Sequence, residues 1–414
     1  MLYLKTNQLF YLSLLVGLVI WWTTFIILPV NMEEAISLKT ILFIVFNVGS
    51  LVLGFISFNF INTKKELTIL KEERSIQIVK LIIKIVLVCY ILRYIDLLLI
   101  REMSLGNNYR ANRELSFRIW DFKYVFFAVA SVLKSLYFFP IIICISLSLK
   151  NKPVTFASYI LLLFPLLEAL LRGTRKPFFD IVIIIIISIV IFTRLKLNLK
   201  KVLFGLFSIV VLFSIANIIL FDREASNSTN IYEEILNARY NDFLKPNQNV
   251  KDYILDDKTP EINKRVALTT LHVGQYLTHG FFEFNNIIKS APIPLAHGGY
   301  TFNVFTKILK TPTINTSPRN FVYITFFGGL FLDFGWFSIL LMFLFGIFQK
   351  YIFQKAIISI VWRPLLVYIL IINVFLLMFN YIRGSGVYPI IGFLVFFLIL
   401  KVSLFISHEK SANS

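Results

Sequence analysis

The sequence predicts an all-α, polytopic integral membrane protein, with about ten transmembrane helices and one long extracytoplasmic loop containing short helices. Two observations predict it. First, 57% of the 414 residues are apolar and 15% are charged, with a mean hydropathy of +0.78. Soluble domains carry roughly 45–50% apolar and about 25% charged residues, so a soluble fold of this size has nowhere to bury so much Phe, Leu and Ile. Second, the apolar residues come in runs that match the roughly 20 residues a helix needs to cross a bilayer. The same composition excludes collagen-like, disordered and disulfide-scaffold chains. Cys89 and Cys144 both lie inside apolar runs and read as small core hydrophobes, not as a bridge or a metal site.

Taken in order, the runs are 9–29, 38–60, 76–100, 124–147, 154–171, 178–193, 202–221, 322–348, 364–382 and 387–406. The first is too long for a cleaved signal peptide and lacks a small-residue cleavage site. The fifth and sixth are short; they read as two spans, with a re-entrant hairpin as the alternative. The runs divide the chain into an N-terminal membrane bundle (1–221), a loop that caps a cavity (222–321), and a C-terminal bundle with a short tail (322–414). The loop begins polar and mixed in charge. Its second part, RVALTTLHVGQYLTHGFFEFNNIIKS, is semi-apolar and aromatic. That part is too polar to span and suits helices lying on the membrane face or capping a cavity. The chain carries no internal repeat, Walker loop, dinucleotide fingerprint or zinc spacing.

The net charge is +18. A nucleic-acid partner is disfavoured, because the basic residues interrupt spans and form no soluble basic domain. Alternating the spans sorts the short loops into two sets. One holds Lys5, Lys64, Lys65, Lys71, Arg74, Lys150, Lys152, Arg194, Lys196, Lys200, Lys201, Lys350, Lys355, Arg363 and Lys410, which makes 15 basic residues against nine in the other. The positive-inside rule then puts both termini in the cytoplasm.

The nine cations on the wrong side are the informative ones. Loop 101–123 carries Arg101, Arg110, Arg113, Arg118 and Lys123. Arg110 and Arg113 share one face if that stretch is helical. The plain alternative is a solvated loop touching lipid phosphates. The second cluster is Arg172-Gly173-Thr174-Arg175-Lys176-Pro177. Its cations repel one another unless an anion lies between them. Gly173 leaves room for a ligand at the backbone, and Pro177 suits the first turn of the next helix. The pattern reads as a pyrophosphate or oxyanion cradle, because guanidinium forks and helix N-termini both bind such groups. A hairpin anchored by snorkelling side chains is the alternative. Two more helix starts repeat it: Asn315-Thr316-Ser317-Pro318-Arg319 and Arg383-Gly384-Ser385-Gly386.

Charges inside spans form the next class. Arg93 and Asp96 are three apart and read as a local ion pair. Glu168 stands four before Arg172, the favourable order for a helical salt bridge. Asp333 lies 14 residues after Arg319, about 21 Å if the stretch is helical. Uncompensated, it costs on the order of 3 kcal/mol. It therefore faces the bundle interior, either holding a neighbouring helix or doing chemistry.

Four features together resemble the bacterial O-antigen polymerase family (Wzy type): the RANRE stretch, the RGTR hairpin, the loop ending HGGYTFNVF, and TFFGGLFLDFGWFSILLMFLFGIF. The resemblance runs over most of the chain from residue 76. The hairpin departs from the commoner GSR wording by Thr174 and an extra leading arginine. That leaves open which of Arg172 and Arg175 does the family's job. The resemblance implies a bundle like those of lipid-linked glycosyltransferases, in the bacterial inner membrane. It implies that repeat units on undecaprenyl pyrophosphate are joined en bloc at the outer face, with no nucleotide sugar, metal or cofactor. It implies lipid-linked donor and acceptor glycans, membrane lipids and a chain-length regulator as partners. On that reading Arg172, Arg175 and Arg319 hold the pyrophosphate, Arg110 and Arg113 assist, and Arg383 completes the ring. His279, His297 or His272, in that order, takes the acceptor proton. Tyr276 and Tyr300, with Phe281 and Phe282, stack on sugars or pack the core. A flippase for the same lipid and a ligase onto another acceptor are the rival readings.

Overall fold

The computed structural model describes residues 6–60, 72–104, 106–107, 109–116, 125–193, 211, 213–215, 217–218, 221, 231–238, 242–290, 294–302 and 322–412. It is 80% helix and 2% strand. Among the described residues, seven helices are long and apolar enough to cross a membrane: Asn7–Ile27, Leu38–Ser57, Glu72–Ile100, Phe126–Leu147, Lys152–Arg172, Phe326–Ile358 and Gly384–Lys401. These match seven of the ten expected runs. The sixth run forms a helix of 17 residues, Lys176–Phe192, about 26 Å long. The seventh lies largely outside the described residues. The ninth is the 16-residue apolar helix Ile360–Phe375, not a run to 382. Every residue of its Arg363–Phe375 part is buried. A helix enclosed by others on all sides reads as continuously apolar whether or not it reaches both surfaces.

Small residues set the closest crossings. A Cβ on Gly54 would stand 2.0 Å from the Phe343 carbonyl oxygen, and one on Gly346 would stand 2.2 Å from that of Leu51. The Leu38–Ser57 and Ser338–Ile358 helices therefore meet backbone to backbone, as helices in lipid commonly do. Gly17 does the same for the first helix against Val374. Some polar groups inside this core pair with one another. Gln349 and Asn373 exchange hydrogen bonds at 2.8 and 2.9 Å, and Asn373 also donates to the Ser13 hydroxyl at 3.1 Å.

The loop contains the short helices Ile231–Leu236 and Gln248–Leu255, and its semi-apolar second part forms one 29-residue helix, Glu261–Lys289. Its second half is buried and packs on Thr6–Ile27, Leu38–Ser57 and Phe326–Phe334. Average hydropathy missed this because its polar residues find partners inside the bundle. The Asn285 side-chain oxygen accepts from the Ser37 N–H and the Thr40 hydroxyl, both at 2.8 Å. Gly280 is required where the helix crosses the 324–325 and 378 segments: a Cβ there would meet the Met378 carbonyl oxygen at 2.7 Å. A short antiparallel pair, Val30–Met32 with Leu244–Pro246, ties the loop to the end of the first helix. Gln275 donates to the Leu244 carbonyl at 3.0 Å and fixes the long helix to that pair.

Candidate functional site

The site is built around the hairpin between helices Leu163–Arg172 and Lys176–Phe192. Gly173 has φ +59° and closes the first helix. The Thr174 N–H reaches back to the Ala169 carbonyl at 2.9 Å, and the Gly173 N–H to Leu170 at 3.3 Å. This is a left-handed helix stop, which glycine adopts without strain. The chain reversal thus gives the glycine a local reason, beside the expectation that it clears space for a ligand. Pro177 falls in the first turn of the second helix, as expected. The reversal holds Arg172, Arg175 and Lys176 at one end of the bundle.

Arg172 belongs to a buried ion network. Arg93 pairs with Asp96 at 2.5 Å, as its spacing predicted, and with Glu168 at 3.1 Å. Arg101 pairs with Asp96 at 3.1 Å. Glu168 also takes Lys134, and takes Arg172 at 3.5 Å. Four cations thus share two carboxylates. The local Glu168–Arg172 pair exists but is the loosest of Glu168's three contacts. Sequence reasoning missed Lys134, although a lysine inside the run VFFAVASVLKSLYFFP is itself a signal, since intramembrane charges are rare and functional. Asn112 was also missed. Its side-chain amide donates to the Leu171 carbonyl at 2.8 Å and to Ser104 at 2.7 Å. It docks helix Tyr109–Ser116 onto the end of the Arg172 helix. Arg110 and Arg113 stand on that docked helix.

Arg175 meets His272 across 97 residues, with Nη2 3.1 Å from the imidazole Nε2. Guanidinium can only donate, so Nε2 accepts and the ring proton is on Nδ1. His272, expected among the bases, therefore spends this lone pair positioning Arg175. His279 stands seven residues on, near the same helix face. Its Nδ1 lies 2.7 Å from the Gln275 carbonyl, which requires a proton there and puts the lone pair on Nε2. Between them Tyr276 packs against Tyr323 (5.2 Å) and Phe379 (5.9 Å). Burial, then Tyr323, pushes its phenol well above the usual range, while Arg175 pulls it down. Tyr276 is an aromatic wall beside Arg175. On the neighbouring turn of the Lys176–Phe192 helix, Asp180 accepts from Lys176 at 2.7 Å and from the Tyr381 hydroxyl at 2.6 Å.

Asp333 holds the HGGYT turn, where its position had suggested a hold on a neighbouring helix. Residues 322–325 are not helical, and its helix starts at Phe326. Its two carboxylate oxygens accept from the Tyr300 N–H at 2.7 Å and the Thr301 N–H at 2.9 Å, and its carbonyl accepts from the His297 N–H at 2.9 Å. His297 is exposed and sits at φ +47° in that turn. Arg383 lies 3.9 Å over the Tyr300 ring, which occupies the face expected to stack on a sugar. Asn380 links the two turns, donating to the Thr301 hydroxyl at 3.1 Å. Burial pushes the Tyr300 phenol up to about 12, with Arg383 pulling the other way. Its hydroxyl is buried without a hydrogen-bond partner among the described residues. Tyr300→Phe is therefore expected to leave the thermal midpoint unchanged or slightly higher, since it removes an unpaired buried polar group. A clear drop would show that the hydroxyl is satisfied.

The structure thus brings Arg172, Arg175, His272, Tyr276 and His279 together, with Arg110 and Arg113 on an adjoining helix. Tyr300, Arg383 and His297 form a neighbouring turn cluster, joined through Tyr381 and Asp180. Arg319, Arg118 and Lys123 lie outside the described residues. Among the described residues no three His, Cys, Asp or Glu stand together as a metal requires. A cavity of about 350 Å³ lined by Cys144, Ser148, Thr155, Tyr159 and Thr193 lies at the far ends of the hairpin helices, away from these charges.

The fold and these residues define a multi-pass helical membrane protein with a positively charged polar site at one end of its bundle. No protein-family model, curated protein or solved structure matches the chain.

Proposed function

We propose that this chain is a polysaccharide polymerase that joins undecaprenyl-pyrophosphate-linked repeat units at the outer face of a bacterial inner membrane, with both termini cytoplasmic and a chain-length regulator as partner. The observation that carries the reading is the charge balance at the hairpin among the described residues: four cations on two carboxylates, opening at Arg172, with Arg175 beside a neutral histidine. Positive charge gathered inside a bundle is stabilised by an anionic ligand. A pyrophosphate leaving group gains negative charge in the transition state, and fixed guanidiniums stabilise that charge.

In the reaction an acceptor sugar hydroxyl attacks the anomeric carbon of the growing chain. The new glycosidic C–O bond forms as the bond to the pyrophosphate oxygen breaks. Undecaprenyl pyrophosphate leaves with the electron pair, and a base takes the hydroxyl proton. His279, with its lone pair on Nε2, suits the base role better than His272, whose Nε2 accepts from Arg175. His297, on the turn held by Asp333, is the second candidate.

Deletion of the gene in its host, with surface glycan and lipid-linked pool resolved by size, tests the reading. A single repeat unit on the surface lipid is the expected result. Loss of all surface glycan, with units trapped on the cytoplasmic side, would instead mean a flippase. Long free polymer that never reaches its acceptor would mean a ligase.

A further inference from the structure

Glu168 holds three cations at graded strength. Lys134 is closest, Arg93 follows at 3.1 Å, and Arg172 is loosest at 3.5 Å. The loosest partner is also the most exposed: the Arg172 side chain is 35% exposed, against 15% for Lys134 and 9% for Arg93. The Arg172 Nε is also buried without a hydrogen-bond partner among the described residues. At the far side Asp96 is occupied by Arg93 and Arg101, so it offers Arg172 nothing. A carboxylate four residues before an arginine on one helix normally captures it. Here two other cations have reached that carboxylate first.

We propose that Lys134 is a positioning residue that keeps Glu168 neutralised, so that Arg172 is held in place yet free to turn its fork to an incoming oxyanion. The inference rests on the reading of Arg172 as a pyrophosphate ligand. Glu168 is then a tether that an anion displaces, and Lys134 sets how easily it is displaced. Without Lys134, Glu168 would need Arg172 as a close partner and would compete with the ligand. Without Glu168, the arginine would meet the ligand with no competitor. The two substitutions therefore act in opposite directions on the same affinity, a pattern that loss of packing alone cannot produce.

The test measures inorganic pyrophosphate binding to the full chain in phosphatidylcholine nanodiscs by calorimetry. Lys134→Met is expected to weaken binding about tenfold and Glu168→Gln to strengthen it by a similar factor, the scale of one charge-assisted hydrogen bond. The double variant Lys134→Met/Glu168→Gln should bind as Glu168→Gln does, because Lys134 acts through Glu168 and has no carboxylate left to neutralise. Lys134→Arg should bind as the native chain does. These last two variants keep the test decisive if Lys134→Met fails to fold: a double variant that binds more weakly than Glu168→Gln overturns the proposal. So does weaker binding in Glu168→Gln, or unchanged binding in folded Lys134→Met. Arg172→Ala separates the two levels. If it leaves binding intact, the pyrophosphate reading of Arg172 fails. If it weakens binding while the Lys134 and Glu168 variants change nothing, only the positioning role fails.

Discussion

Replacing Arg175 with alanine is expected to reduce polymer formation by at least about 10²-fold, the cost of removing one fixed donor from a developing oxyanion. The protein should still reach the membrane, because Arg175 is partly exposed and hydrogen-bonds to the uncharged ring of His272, which strands no buried counter-charge when it is lost. Arg172→Ala should do the same with little cost to the fold, since Glu168 keeps Lys134 and Arg93. Lysine at position 175 should rescue poorly. An ammonium is a point charge and cannot keep His272 and clasp an oxyanion as a planar fork does. Size-resolved surface glycan, normalised to protein in the membrane fraction, checks both. Long chains from both alanine variants would sink the cradle; full rescue by lysine would reduce it to charge alone.

The second large effect is on folding. Asp333→Ala is expected to destabilise the protein by on the order of 3 kcal/mol or more, because it strands the buried N–H groups of Tyr300 and Thr301. Asp333 is fully buried, so water cannot replace the lost acceptor. Asp333→Asn keeps one acceptor oxygen and should lose about half as much. Thermal midpoints in detergent, with folded yield as a second readout, measure it. The turn that Asp333 holds carries His297 and Tyr300, so polymer formation should fall with stability in the same order. Equal midpoints for Asp333→Ala and the native chain would overturn the structural role.

How much of this was legible beforehand depends on the range of the contact. Composition and apolar runs read the class and seven of the spans, because lipid demands long apolar helices wherever they stand in the chain. Spacing of three and four read Arg93–Asp96 and Glu168–Arg172, since a helix turn brings those pairs together by itself. The off-side arginines were legible as a departure from the charge rule. Gly173, by contrast, has a local reason that the spacing did not show: its left-handed turn reverses the chain.

The sequence by itself determined that this is a helical membrane protein and where along the chain its basic clusters stand. Tertiary structure alone decided that Glu168 serves three cations, that Arg175 rests on His272, that Asp333 grips the HGGYT turn, and that Glu261–Lys289 runs inside the bundle. The reason is physical. Hydropathy and periodicity sum over residues near in sequence. Whether a polar group is costly or satisfied depends on partners that can lie 97 residues away, as Arg175 and His272 do.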